Sequence, residues 1–261
     1  MLLFPQLLSG AVAQFPLSRS YSVSNVTNLQ EDGTRYLETG LEPPNLSWRL
    51  AYQHLTKVEA DELSTFFEST HGRLFTFTFL DPVGNLLLWS EDLAKPFWDR
   101  SPLLGISALS AGTDVSFELS GTGPGTALLS QVLACPAKAL LCFSLYARAD
   151  QPSQINLALS DVSNRVEKWF GVDATWRQYF VTQAGNGAGS AKTAEISLNA
   201  LAPIQVTRIS VNAQPAPAFY LRTTQTCGIK QNTRFNQDHF LTIATGDDDF
   251  SCSVQLTSRL D

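Results

Sequence analysis

The stretch FTFTFLDPVGNLLLWSEDLAKPFW, residues 75–98, decides how this chain divides. Phe75, Phe77 and Phe79 alternate with Thr76 and Thr78, and that period of two predicts a strand with one buried aromatic face. Asp81-Pro82 ends the strand, because proline has no N–H to donate and restricts the residue before it. From Asn85 to Trp98 a second pattern starts with aromatic anchors of its own. The final segment, from about residue 225, reads as a continuation of what precedes this seam. The chain is therefore expected to be one β domain, residues 1–84 plus 225–261, interrupted by a second over residues 85–224.

Composition fits that layout. The chain is 44% hydrophobic and only 16% charged, enough apolar material for a core, and its mean hydropathy of −0.03 argues against disorder. Sixteen Phe, thirteen Pro and sixteen Gly suit sheets joined by many turns. A formal charge of −6 gives no electrostatic footprint for nucleic acid or an anionic membrane, and no run of residues is apolar enough for membrane insertion. The opening MLLFPQLLSGAVAQFPLS lacks a basic leader, and Pro5 and Gln6 interrupt its apolar run. It reads as an ordered arm or strand packed on its own domain or on a neighbour. Cys135, Cys142, Cys227 and Cys252 form no CxxC pair and have few histidines near them in sequence. Local bridges between Cys135 and Cys142, or Cys227 and Cys252, can be drawn. Reduced, buried thiols are the preferred reading.

Within the first domain, Asp32-Gly33 signals a tight turn, and LEPPN, residues 41–45, an extended connector. Leu46, Trp48, Leu50 and Tyr52 then fall on one side of a strand. Thr56 with Glu59 three residues later spells a capping box for a helix whose apolar stripe is Val58, Leu63, Phe66 and Phe67. Gly72 stands where a left-handed residue would end it. The FPQ…SG opening, the DG turn, the WxLxY strand, the acidic-capped helix ending in FFxxxxG and the Phe-rich strand closing on DP resemble the distal tail and minor tail proteins of tailed bacteriophages and related gene-transfer particles. That resemblance implies a β-sandwich with a small helix, forming a hexameric ring at the tail tip between the tail tube protein and the hub or fibre proteins.

In the inserted domain, strands are expected over residues 114–119, 127–133, 140–149, 154–160, 176–182, 194–199 and 205–212. Glycine-rich loop tips fall at 121–125 and 185–189. The segments NLLLWSEDLAKPFW, LLCFSLYARAD, ATWRQYFVT and ISVNAQPAPAFYLRTT resemble jelly rolls of the carbohydrate-binding-module kind, which recur in phage tail proteins. Where that family usually carries an acidic residue beside a glutamine in its closing strand, this chain has Ala213-Gln214-Pro215. The expected fold class is thus mainly β: a β-sandwich with one covering helix, interrupted by an inserted jelly-roll β-sandwich.

Sugar binding needs an exposed aromatic face for the C–H surface of the ring, with polar groups beside it for the hydroxyls. Trp169 and Phe170, in RVEKWFG beside an expected hairpin turn, are the candidate platform, and Asp161, Asn164 and Arg165 the candidate polar partners. Trp176 and Tyr179 read as sandwich structure, and Trp89 and Trp98 as packing at the edge of the module. No dense loop of oxygen ligands predicts a metal.

Two strands, 240–244 and 250–256, flank a solvated acidic turn, TGDDD, in the returning segment. Too short to bury a core alone, they need the first domain's sheet. None of His54, His71 and His239 sits in a catalytic motif, and neither a GxSxG, an HExxH nor a Walker loop occurs. The expected function is a structural, non-enzymatic component of a phage-like tail tip, located on the virion and assembled in the host bacterial cytoplasm. It would self-associate into a ring, contact tube and hub or fibre proteins, and display a jelly roll toward host-surface polysaccharide. The alternatives are a stand-alone carbohydrate-binding protein and a polysaccharide-degrading enzyme.

Overall fold

The computed structural model describes residues 2–40, 43–111, 114–185, 189–199 and 202–259. Part of the 41–45 connector and the middle of the 185–189 loop tip lie outside the described residues. The chain forms two compact units. The first comprises residues 1–7, 13–79 and 230–261, and the second residues 8–12 and 80–229. The seam falls at Phe79/Leu80 and Ile229/Lys230, about one strand end away from the expected boundaries, and residues 8–12 group with the second unit.

The first unit is a six-stranded sheet with one helix. Its strands are β1 (Ser18–Ser22), β4 (Asn45–Leu55), β18 (Asp249–Arg259), β16 (Ile229–Phe235) and β5 (Phe77–Leu80), in that order, with β17 (Thr242–Gly246) hydrogen-bonded to β18. β2 (Asn25–Leu29) and β3 (Arg35–Thr39) form a separate hairpin around Gly33, whose φ of +85° is the left-handed geometry the Asp-Gly pair predicts. Along β4 every second residue points inward, so Leu46, Trp48, Leu50 and Tyr52 are buried. Opposite them on β18 lie the buried Val254 and Leu256.

Helix α1 (Lys57–Ser69) covers this inner face with the capping box intact: Thr56 accepts from Glu59 N and Glu59 reaches back to Thr56 N. A further carboxylate, Asp248, takes the otherwise orphaned Lys57 N–H at 2.7 Å. Gly72 ends the segment at φ +60°. The core is aromatic: Phe4, Phe66, Phe77 and Phe235 meet with ring centroids 5.1–6.3 Å apart, and Phe79 lies 5.0 Å from Trp48. The N-terminal arm is built in as well. Phe4 N donates to Thr78 O and Thr78 N to Leu2 O, a short parallel bridge onto β5.

Two expectations fail here. Phe75 lies outside β5 and is 48% exposed, its N–H drawn back to Thr70 O by the helix end, so only Phe77 and Phe79 form the buried aromatic face. Val58 is 63% exposed, so α1's buried stripe is Ala60 and Leu63 with the phenylalanines behind them.

The second unit is a sandwich of two five-stranded antiparallel sheets. One sheet has the order β13 (Arg177–Gln183), β10 (Leu141–Arg148), β15 (Ile204–Asn212), β8 (Asp114–Gly121), β7 (Leu104–Ala111). The other has β12 (Arg165–Val172), β11 (Ser153–Ser160), β14 (Lys192–Leu198), β9 (Ala127–Leu133), β6 (Asp99–Arg100). Phe143, Leu145, Val206 and Val211 from the first sheet and Leu129, Ile155, Leu157 and Ile196 from the second are buried. The unit's two ends are tied together: Asp81 N donates to Gly228 O and Gly228 N to Asn85 O. Gly84 and Gly228 approach so closely that a Cβ on Gly228 would sit 3.1–3.2 Å from Gly84 backbone atoms. Buried Asn85 accepts from Leu87 N and Val211 N and donates to Ile209 O, fixing the first turn of the module.

Candidate functional site

The residues singled out from sequence lie on the β12 side of the sandwich, and the structure divides them. The segment around Trp169 is the middle of a strand, not the neighbourhood of a turn; the turn lies at residues 161–164. Successive strand residues face opposite ways. Trp169 accordingly faces outward at 39% exposure, opposite Asn156, whereas Phe170 turns back to meet the tilted Tyr179 ring at 5.2 Å between centroids. Arg165 shares the outer face with Trp169 but is held by Glu167 and Glu195, which raise its pKa while Arg165 lowers that of Glu167. Asp161 is occupied with its own turn, accepting from Ser163 N, Ser163 Oγ and Asn164 N at 2.8 Å, and those bonds lower its pKa. Asn164 offers its backbone oxygen to Gln183. What remains outward is one tryptophan beside an ion-paired cluster.

The opposite sheet carries a cleft that the sequence reading passed over. On the outer face of β10, Tyr146 and Ser144 stand across from Gln178 and Phe180 of β13, and Arg148 sits over the Trp176 ring with its guanidinium carbon 5.4 Å from the centroid. On the other side of β10 the pairing with β15 slips between Ser144 and Tyr146. The extra residue of this bulge is Arg208, at φ +53°, a backbone region costly for a side chain with a Cβ. The bulge re-aims Arg208 over the Tyr146 ring, 5.6 Å from its centroid. The segment after β15 closes the far wall with Pro217, Phe219 and Tyr220, and Phe219 is 83% exposed. The result is a cleft of ≈ 420 Å³, within the range that holds small organic ligands.

The cleft pairs aromatic surface (Tyr146, Phe219, Tyr220) with short polar groups (Ser144, Gln178, Ser210) and one guanidinium. That combination suits a ligand with apolar faces and hydroxyl edges. Trp176, expected to be structural, is 38% exposed and extends this face together with Phe180 at 46%. Tyr179 is buried as expected, its hydroxyl donating to Gly171 O at 3.0 Å. The signal was present in WRQYFVT but ambiguous, since both alternating faces carry aromatics. The bulge at Arg208 has no sequence signature at all. Among the described residues no group of His, Cys, Asp and Glu is arranged to hold a metal.

No protein-family model matches the chain, and no curated protein matches it. Solved structures with a similar arrangement include the enzymatically active domain of bacteriophage CBA120 tailspike protein 4, at 13% identity and TM-score 0.41 over 51% of this chain. That likeness spans only 22% of the tailspike chain. Others are the CBM22-1 xylan-binding domain of Paenibacillus barcinonensis Xyn10C, at 13% identity and TM-score 0.41 over 51% of this chain and 96% of its own, and TmCBM61 in complex with β-1,4-galactotriose, at 12% identity and TM-score 0.37 over 49% and 96%.

Proposed function

We propose that the chain is a non-catalytic attachment protein of a phage-like tail tip, whose sandwich binds surface glycan and whose first unit carries the contacts for assembly. The observation that carries the glycan part is the cleft over Tyr146. A strained arginine, two walls of aromatic surface and inward-facing hydroxyl and amide groups converge on one opening. A sugar ring stacks its C–H face on an aromatic and spends its hydroxyls on such polar neighbours. Binding, not turnover, is the activity expected of it.

The assembly part draws on the β2–β3 hairpin. Among the described residues it pairs with no other strand, and it exposes Val26, Leu29, Tyr36 and Leu37, with Leu37 at 75% and Leu29 at 68%. A lone two-stranded hairpin is marginal in water, and the register puts Leu29 with Leu37 on one face and Val26 with Tyr36 on the other, exposed apolar pairs of the kind a protein contact covers. Self-association, with tube and hub or fibre proteins as further partners, accounts for both. The tail-tip location, on a virion assembled in a bacterial cytoplasm, rests on the sequence resemblance and on the discontinuous first unit.

The test is titration of the purified chain against a panel of bacterial surface polysaccharides. Tyr146→Ala and Phe219→Ala should each weaken binding at least about tenfold, the loss of roughly one good aromatic contact, while Trp169→Ala leaves it unchanged. Loss on Trp169→Ala alone would move the site to the β12 face. Depolymerisation of any member of the panel would overturn the non-catalytic reading.

A further inference from the structure

The chain is acidic overall, with 24 Asp and Glu against 18 Lys and Arg, yet one end of the first unit's sheet is basic. On its outward face Arg234 of β16 stands opposite Thr257 of β18, Arg259 opposite Asn45 of β4, and Arg49 opposite Gln255. The three arginines are exposed, and none has an ion-pair partner among the described residues. Arg234 and Arg259 line a groove of ≈ 480 Å³ with Asn45, Asn232, Asn236 and Thr257. Such a wall of amides, hydroxyls and two guanidiniums, with no carboxylate among the described residues that line it, suits an acceptor-rich, anionic partner, because an arginine fork takes a carboxylate in two parallel hydrogen bonds.

The same strand ends the other way in acid. β18 begins at the turn Asp247-Asp248-Asp249, of which Asp247 and Asp248 are exposed, joined through Asp248 to the start of α1, where Glu59, Asp61 and Glu62 follow. Lys57, the cation there, is paired with Asp61. Eleven residues of strand separate the two ends by roughly 33 Å. Opposite charges fixed at the two ends of one rigid strand cannot meet within one copy. Each can meet the opposite end of another copy, a head-to-tail contact that closes into a ring when the rotation allows.

We infer that the Arg234/Arg259 groove receives the Asp247–Asp249 turn of a second copy. The inference rests on the assembly reading above and gives it a direction and a surface. Asp247, exposed and with no hydrogen bond or ion pair among the described residues, is the tip of the incoming turn; Asp248 and Asp249 are already committed to Lys57 N and His54.

The full-length chain tests this by sedimentation velocity at about 0.1 M and about 1 M salt, where the screening length falls from about 10 Å to about 3 Å. The wild type should associate at the lower salt and fall apart at the higher. Arg234→Glu with Arg259→Glu in one chain, and Asp247→Arg in another, should each lose association at least about tenfold, since like charges then face each other. A mixture of the two variants should recover it, because every contact in an alternating assembly is again between opposite charges. A misfolded variant would not be rescued by mixing. Association that ignores salt and both variants would overturn this inference and leave self-association standing. A monomer under every condition would overturn both.

Discussion

Single side chains carry the sharpest contrasts in this molecule. Phe75 and Phe79 belong to one alternating run, yet Phe79 is fully buried against Trp48 while Phe75 is half exposed. Phe79→Ala should cost about 3–5 kcal/mol through lost burial and the cavity left behind. Phe75→Ala should change stability by less than about 0.5 kcal/mol, and urea denaturation of the two variants separates the cases. The thiols give a second residue-level prediction. Burial pushes Cys135 from 9.0 up to about 12, and Cys142 and Cys252 to about 11. A raised acid pKa favours the folded state's proton, so this stability is intact below pH 9.0 and is lost as pH rises toward those values. Each thiol should remove up to about 1.4 kcal/mol per pH unit over that window. Buried Lys192, its pKa lowered by desolvation, works in the opposite direction below 10.5. Cys135→Ala should flatten the alkaline fall in unfolding free energy, and an unchanged slope would refute the assignment. These contrasts were half legible in sequence. Alternation told which residues share a face, but not that the helix end captures Phe75's N–H and pulls it out of the strand.

Elements with a signature in their own residues were legible, and elements defined only by their distant partners were not. Helix α1 announces itself through Thr56 and Glu59, and both reciprocal bonds form. Thr56→Ala should destabilise the protein by about 1 kcal/mol. The second cap, Asp248 on Lys57 N, comes from 191 residues away and could not be anticipated. Asp248→Asn should cost about 0.3–1 kcal/mol at low salt and less at high salt, because the carboxylate's interaction with the helix N-terminus is screened. Equal losses at both ionic strengths would show that the contact is not electrostatic. The same division runs through the sandwich. All seven strands expected from period-two patterning formed within two residues of their limits. β12 escaped because RVEKWFG mixes charge and aromatics on both faces, and its identity comes from eight paired residues on β11. That miss left Trp169 and Phe170 read as a single platform. Trp169 and Phe170 look adjacent as letters and face opposite ways as a strand, whereas Tyr146, Gln178 and Arg208 converge from three strands far apart in sequence.

At the scale of the whole chain, the division follows from where backbone bonds close. The sandwich ends on its own hydrogen bonds, Asp81 N to Gly228 O and Gly228 N to Asn85 O, and the Asn85 side chain ties them to Ile209 and Val211. These bonds are made within the second unit, and the ring contacts among Phe4, Phe77 and Phe235 are made within the first. An insertion whose two ends lie one hydrogen bond apart can be removed without stretching its host. Residues 80–229, carrying the 8–12 segment on a short linker, should therefore fold to a sandwich that retains the proposed glycan binding at the Tyr146 cleft. The remainder, with Phe79 joined to Lys230 by a short Gly-Ser linker, should fold separately and retain self-association. The two melting transitions, followed by calorimetry, should add up to those of the intact chain. Gly228→Ala bears on the same joint, because its Cβ would press on Leu86 Cδ2 at 2.9 Å and on Gly84, and overpacking of this kind costs about 1–3 kcal/mol. That loss should appear in the sandwich transition and not in the other. If the excised pieces fail to fold, or if Gly228→Ala lowers both transitions together, the units are one cooperative structure and the proposed glycan and assembly roles cannot be assigned to them separately.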